Sequence, residues 1–215
     1  KVMIVGAYQS FFLFVLGKGP NKEGWEKRLL IINLEALGDL VVFTSVLKHY
    51  KRRMPDMRIS LLIKADTGAQ RIFASAFADE VITLDYRRFS LDPFYGVRFM
   101  NRLRWVGFRK VIVHDFSAAE IMGKIIGVNL GAEEIVGYEG LAVEYMRPFD
   151  LQQRKNLRVA AHAIFPRYTA LIPSLDIGAG LTERLFGAIR HYIRIYEGAT
   201  GLTEKDWSTR IPGEG

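Results

Sequence analysis

The chain has 215 residues, enough for one large domain or one and a half ordinary ones. A hydrophobic share of 49% and a charged share of 25% describe a globular protein, and the absence of cysteine excludes a disulfide framework, a thiolate metal site and a cysteine nucleophile. Thirty Lys and Arg against 23 Asp and Glu leave a net charge of +7, which favours anionic partners such as phosphorylated lipids, sugar nucleotides or nucleic acids.

The first stretch, VMIVGAYQSFFLFVLG (residues 2–17), is apolar but interrupted by Gln9 and Ser10. It is shorter than the roughly 20 residues of a spanning helix and lacks a signal-peptide cleavage site. A buried strand plus helix, an interfacial helix and a membrane contact remain open for it. Residues 1–27 are therefore an apolar N-terminal extension compatible with membrane association. The chain opens on Lys1 and closes on the polar STRIPGEG, so both ends read as cuts and the chain as a fragment.

From Leu29 a regular alternation begins. The runs LLIIN, ISLLIK, EVITLD and KVIVHD, and the weaker EEIVGY, start at residues 29, 59, 80, 110 and 133. Continuous apolar runs of this length suit strands buried on both faces of a parallel sheet. Helix-length segments separate them: Leu40–Arg53, with Leu40, Phe43, Val46, Leu47 and Tyr50 at helical spacing, then Thr67–Phe77, Pro93–Val106 and Ser117–Val128. Alternation at this pace predicts right-handed βαβ units, an α/β class and a doubly wound parallel sheet. Beyond Gly140 the pattern loosens. Gln152–Phe165 and Thr182–Tyr196 read as helices, the second amphipathic and basic, suited either to pack on the sheet or to lie on a membrane. The resulting division is 28–165 for the sheet domain and 166–215 for a helical segment and linker.

No G-x-G-x-x-G follows the first strand, and no P-loop, H-E-x-x-H or G-x-S-x-G occurs. The four histidines have no ligand spacing. The aromatics lie in core-like runs rather than interleaved with basic residues on a stripe, which argues against nucleic acid as the partner. Attention falls on the carboxyl ends of the strands, where open α/β sheets bind ligands. After the first strand, Gly38 permits a tight turn and Asp39 stands at the mouth of the helix predicted from Leu40. An aspartate there is either an N-cap, stabilising by about 1 kcal/mol, or a catalytic base. Arg87 and Arg88 follow the third strand, as a solvated pair or as anion anchors. His114 and Asp115 end the fourth strand on the same rim.

RLLIINLEALGDLVVFTSVLKHYKRRMPDMRISLLI (28–63), ADEVITLDYRRF (78–89) and FRKVIVHDFSAAEIMGKIIGVNLGAEEIVGYEG (108–140) together resemble the opening half of glycosyltransferase family 9, the ADP-heptose:lipopolysaccharide heptosyltransferases. The similarity extends faintly to AAHAIF (160–165). It implies a GT-B fold of two Rossmann-like domains, of which this chain would be the N-terminal, acceptor-binding one. It also implies metal-independent, inverting sugar transfer without a cofactor. The donor would be a nucleotide sugar such as ADP-heptose, and the acceptor an anionic lipopolysaccharide-type glycolipid. A cytoplasmic location, peripheral on the inner membrane, goes with it. Asp39 matches the family's proposed base, and Arg87 and Arg88 match its basic acceptor contacts; Gly38, His114 and Asp115 join them as acceptor-binding candidates. A helix N-terminus would lower the pKa of Asp39 and keep it ionised. The chain departs from the family at Glu35, Ala36 and Leu37, where Ser or Thr is frequent, and at His114, where Asp is frequent. It has no Lys-bearing phosphate loop before Gly215, so a donor-binding domain is expected beyond it and the fragment alone is expected to be inactive. A second reading is a non-catalytic Rossmann-like domain that binds a phosphorylated ligand or a partner protein.

Overall fold

The computed structural model describes residues 21–35, 37–65, 77–114, 120–138, 170–172 and 192–201. A short 3-10 turn, Trp25–Lys27, leads into β1 (Arg28–Ile32). Then follow α1 (Leu37–Arg53), β2 (Arg58–Lys64), β3 (Glu80–Leu84), α2 (Tyr86–Leu91) and α3 (Pro93–Val106). After these come β4 (Lys110–Val113), α4 (Glu120–Asn129), β5 (Glu134–Tyr138) and β6 (Ala170–Ile172). Residues 192–200 are helical and are called α5.

The six strands among the described residues form one all-parallel sheet in the order β3-β2-β1-β4-β5-β6. This is the doubly wound Rossmann-like arrangement, whose direction of winding reverses between β1 and β4. Side-chain alternation sends each strand's residues to two cores. Leu29 and Ile31 of β1, Ile59, Leu61 and Ile63 of β2, and Ile112 of β4 pack under α1 and α5. Leu30 and Ile32, with Leu62, Val111 and Val113, pack under α2, α3 and α4 through Phe89, Phe99, Met100, Leu103 and Ile126. Both faces are covered, which is why the central strands β1 and β4 read as unbroken Ile, Leu and Val after their first residue.

The α1 helix presents Leu40, Phe43, Val46, Leu47 and Tyr50 to the sheet, the stripe expected from periodicity. Its start is three residues earlier than expected, at Leu37. The segment after β3, to which the sequence pattern assigns no element, is the helix α2: Asp85 caps it by accepting from the Arg88 N–H at 2.8 Å. Asp92 does the same for α3, accepting from Tyr95 N–H at 3.1 Å, with Pro93 in the first turn. Gly107 ends α3 at φ 71, and a Cβ there would sit 2.0 Å from the Asn21 carbonyl oxygen. Asn21 N–H in turn donates to Arg104 O at 3.1 Å.

The sheet takes in chain beyond residue 165. β6 pairs with β5, and α5 contributes Tyr192, Ile195, Tyr196 and Ala199 to the core beside α1. The described part of the basic C-terminal helix therefore packs on the sheet, one of the two placements open for it. The expected helices Thr67–Phe77 and Gln152–Phe165 lie outside the described residues, except Phe77, as do residues 1–20 of the apolar extension. Among the described residues no helix is long and apolar enough to cross a membrane.

Candidate functional site

The crevice between the carboxyl ends of β1 and β4 is where a sheet of this order opens to ligands. The chain leaving β1 is fixed first. Asn33 N–H donates to Leu62 O at 2.9 Å, and the buried Asn33 side chain accepts from Glu35 N–H at 3.2 Å. Glu35 is buried as well. This turn delivers Leu37, Gly38 and Asp39 as the first turn of α1.

Asp39 is thus a first-turn residue within the helix, not a cap standing before it. Its pKa is raised above the ordinary carboxylate value, first by burial and then by the negative charge of Glu35. Lys64, at the end of β2, and the Asp39 backbone N–H pull it down and are outweighed. The expectation of a lowered pKa is corrected accordingly: the helix terminus acts in the foreseen direction, but desolvation and a neighbouring carboxylate are larger. The result is a stronger base than an ordinary surface aspartate. Gly38 is exposed, has no positive φ, and a Cβ on it would meet nothing within 4 Å. The turn therefore does not demand glycine, and the space above it is open.

Arg87 and Arg88 both lie exposed on α2, at the carboxyl end of β3. They differ in what holds them. Arg88 Nε is 3.4 Å from Asp92 Oδ2, and its guanidinium covers the Tyr95 ring at 4.9 Å. Arg87 forms no ion pair among the described residues, leaving its fork open to an anion. Between Asp39 and Arg87 comes Lys64, whose ammonium lies 5.3 Å from the Tyr86 ring. Lys64 and Glu35 are not among the site residues expected from the sequence. Lys64 ends the ISLLIK run, and its place as the last residue of a predicted parallel strand was the available signal.

His114 is not on the rim. It is fully buried, its Nε2 is 2.7 Å from the Tyr50 hydroxyl, and its ring packs against Phe43 at 4.6 Å and Tyr192 at 5.8 Å. The reason is register: after Val113 faces α3 and α4, position 114 turns to the side covered by α1 and α5. His114 is thereby a core residue rather than an acceptor contact. Asp115 lies outside the described residues. Among the described residues no group of three or more His, Asp or Glu is arranged to hold a metal ion.

No protein-family model matches the chain, and no curated protein matches it by sequence. Solved structures match by fold. The E. coli heptosyltransferase WaaC with ADP superposes with a TM-score of 0.55 at 14% identity, over 87% of this chain and 50% of its own. The same enzyme with ADP-2-deoxy-2-fluoro heptose gives 0.56 at 15% identity, over 87% and 51%. A glycosyl transferase family 9 structure from Veillonella parvula gives 0.50 at 17% identity, over 83% and 42%. The chain spans about half the length of these structures. Its Rossmann-like α/β fold is similar to the fold of family 9 glycosyltransferases.

Proposed function

We propose that this chain is the acceptor-binding half of a family 9 glycosyltransferase of GT-B architecture, and that Asp39 is its general base. The observation that carries the reading is the position of Asp39. It stands at the switch point of the sheet, on the first turn of α1, with its pKa raised by burial and by Glu35. A sugar hydroxyl is a weak nucleophile and needs a base within hydrogen-bond reach as it attacks. Asp39 takes the hydroxyl proton while the acceptor oxygen bonds to the anomeric carbon from the face opposite the leaving group. The anomeric carbon–oxygen bond to the nucleotide breaks, and the nucleoside diphosphate leaves with the electron pair, inverting the configuration. Arg87 and Lys64 place positive charge along the same edge, suited to an anionic acceptor of lipopolysaccharide type; Arg88, engaged by Asp92 and Tyr95, is the weaker anchor.

The nucleotide sugar is held by a second domain outside these residues. That WaaC is seen with ADP and with an ADP-2-deoxy-2-fluoro heptose supports an ADP-linked heptose as the donor here. The test is Asp39→Asn in the full-length protein. Turnover should fall by roughly two to four orders of magnitude with the fold and donor affinity unchanged. Near-normal turnover would return Asp39 to a purely structural first-turn role. A full-length protein that binds phosphorylated sugars but transfers none would favour the non-catalytic domain instead.

A further inference from the structure

Helix α3 is built the wrong way round for a helix that only meets water. Its inner face is ordinary: Gly96, Phe99, Met100 and Leu103 are buried against the sheet. Its outer face carries Phe94, 80% exposed, and Trp105, 75% exposed. Eleven residues apart, they share one side of the helix at roughly 16 Å spacing along its axis. Arg98 and Arg102 lie between them on the same face, both exposed and neither in an ion pair among the described residues. Leu91, 68% exposed, extends the apolar part from the end of α2. The sequence of α3 contains no Asp or Glu.

We propose that this face of α3, with Leu91, Phe94, Arg98, Arg102 and Trp105, is a docking surface for an anionic phospholipid bilayer. Three features select that occupant. Trp and Phe on a face with Arg are the composition of helices lying at the headgroup boundary, the rings entering the acyl region while the guanidiniums bind phosphates. Among the described residues the Leu91, Phe94 and Trp105 side chains are largely exposed, which suits entry into a soft, deformable surface. A second copy of the chain docking by this face would set Arg98 and Arg102 against their own equivalents, whereas anionic headgroups neutralise them. The surface is argued from α3 alone and does not rest on the transfer chemistry.

The experiment is cosedimentation of the full-length protein with phosphatidylcholine vesicles, with and without phosphatidylglycerol. Wild type should bind the anionic vesicles and release in high salt. Phe94→Ser with Trp105→Ser, and separately Arg98→Glu with Arg102→Glu, should each weaken that binding by about tenfold or more. All four positions are exposed, so circular dichroism should show the fold unchanged. Four results overturn the proposal: no vesicle binding by wild type, including a wild type that self-associates through this face instead; equal binding by both variants, which would assign attachment to another segment; loss with the arginine changes alone, which would mean charge adsorption without insertion; or loss with the apolar changes alone, which would remove the anionic requirement. Sugar transfer is not measured, so failure here is separate from failure of Asp39 as the base.

Discussion

The Tyr50 hydroxyl lies 2.7 Å from Nε2 of His114, both side chains fully buried, and this bond fastens α1 to the end of β4. Burial, and then the neighbouring Tyr196, raise the Tyr50 pKa well above that of an ordinary phenol. The hydroxyl therefore keeps its proton and the pair is joined within an aromatic cage of Phe43, Tyr192 and Tyr196.

Replacing Tyr50 by Phe removes the hydroxyl partner at Nε2 and keeps the ring. Stability should drop by about 1–2 kcal/mol, read as a lower urea midpoint at neutral pH with an unchanged slope. The wild type should also lose stability on the alkaline side. A folded-state pKa raised above the unfolded one leaves stability intact below the unfolded value, near 10, and removes it as pH climbs beyond. The Tyr50→Phe protein should lack this residue's share, so the two midpoints should converge above about pH 10. Parallel curves would contradict the buried, protonated phenol.

Glu35 and Lys64 push Asp39 in opposite directions, which gives the proposed base a signature in pH profiles. On the proposed role of Asp39 as an unprotonated base, kcat/KM for sugar transfer by the full-length protein should fall on the acid side through an apparent pKa above the ordinary aspartate value. Glu35→Gln removes a negative neighbour and should move that limb to lower pH. Lys64→Met removes a positive one and should move it higher. Limbs that stay together in all three proteins would show that another group controls the rate.

Asp79, just ahead of β3, joins two segments. Its carboxylate accepts from Ile59 N–H at 2.7 Å and lies 2.6 Å from Lys51 Nζ. Burial by itself raises its pKa, but Lys51, the Ile59 amide and Arg58 together bring the net value below the ordinary one. A folded pKa below the unfolded one gives stability present above the unfolded value and lost as pH falls through the folded value. The pair is partly solvated, so Asp79→Asn should cost only about 0.5–1 kcal/mol at neutral pH. That difference should close below about pH 4, as followed by urea midpoints at both pH values.

Much of this architecture was legible because local periodicity and buried strands carry it. The runs starting at Leu29, Ile59, Glu80 and Lys110 became β1 to β4, each within about two residues of the expected bounds. The short elements were hidden. Tyr86–Leu91 is too brief for a periodic stripe and is defined by the Asp85 cap; Ala170–Ile172 is a three-residue strand defined by its partner β5. The site was legible in its address and not in its electrostatics. Asp39 could be placed at a strand end from sequence, whereas its raised pKa depends on the depth of Glu35 and the burial around it. His114 was misplaced because its cover comes in part from Tyr192, 78 positions further along, and no local pattern reports such a contact.

The approach of Gly107 to Asn21 fixes where the leading segment joins the body of the protein. Asn21 is held at the end of α3, at the amino-terminal edge of the sheet, whereas Asp39 stands at the carboxyl-terminal edge. The two edges are separated by the length of β1, roughly 17 Å for five residues. A dye placed on Asn21 itself thus lies on the far side of the domain, and a distance measured from it to a second label at Asp39 would run through the sheet rather than across the crevice.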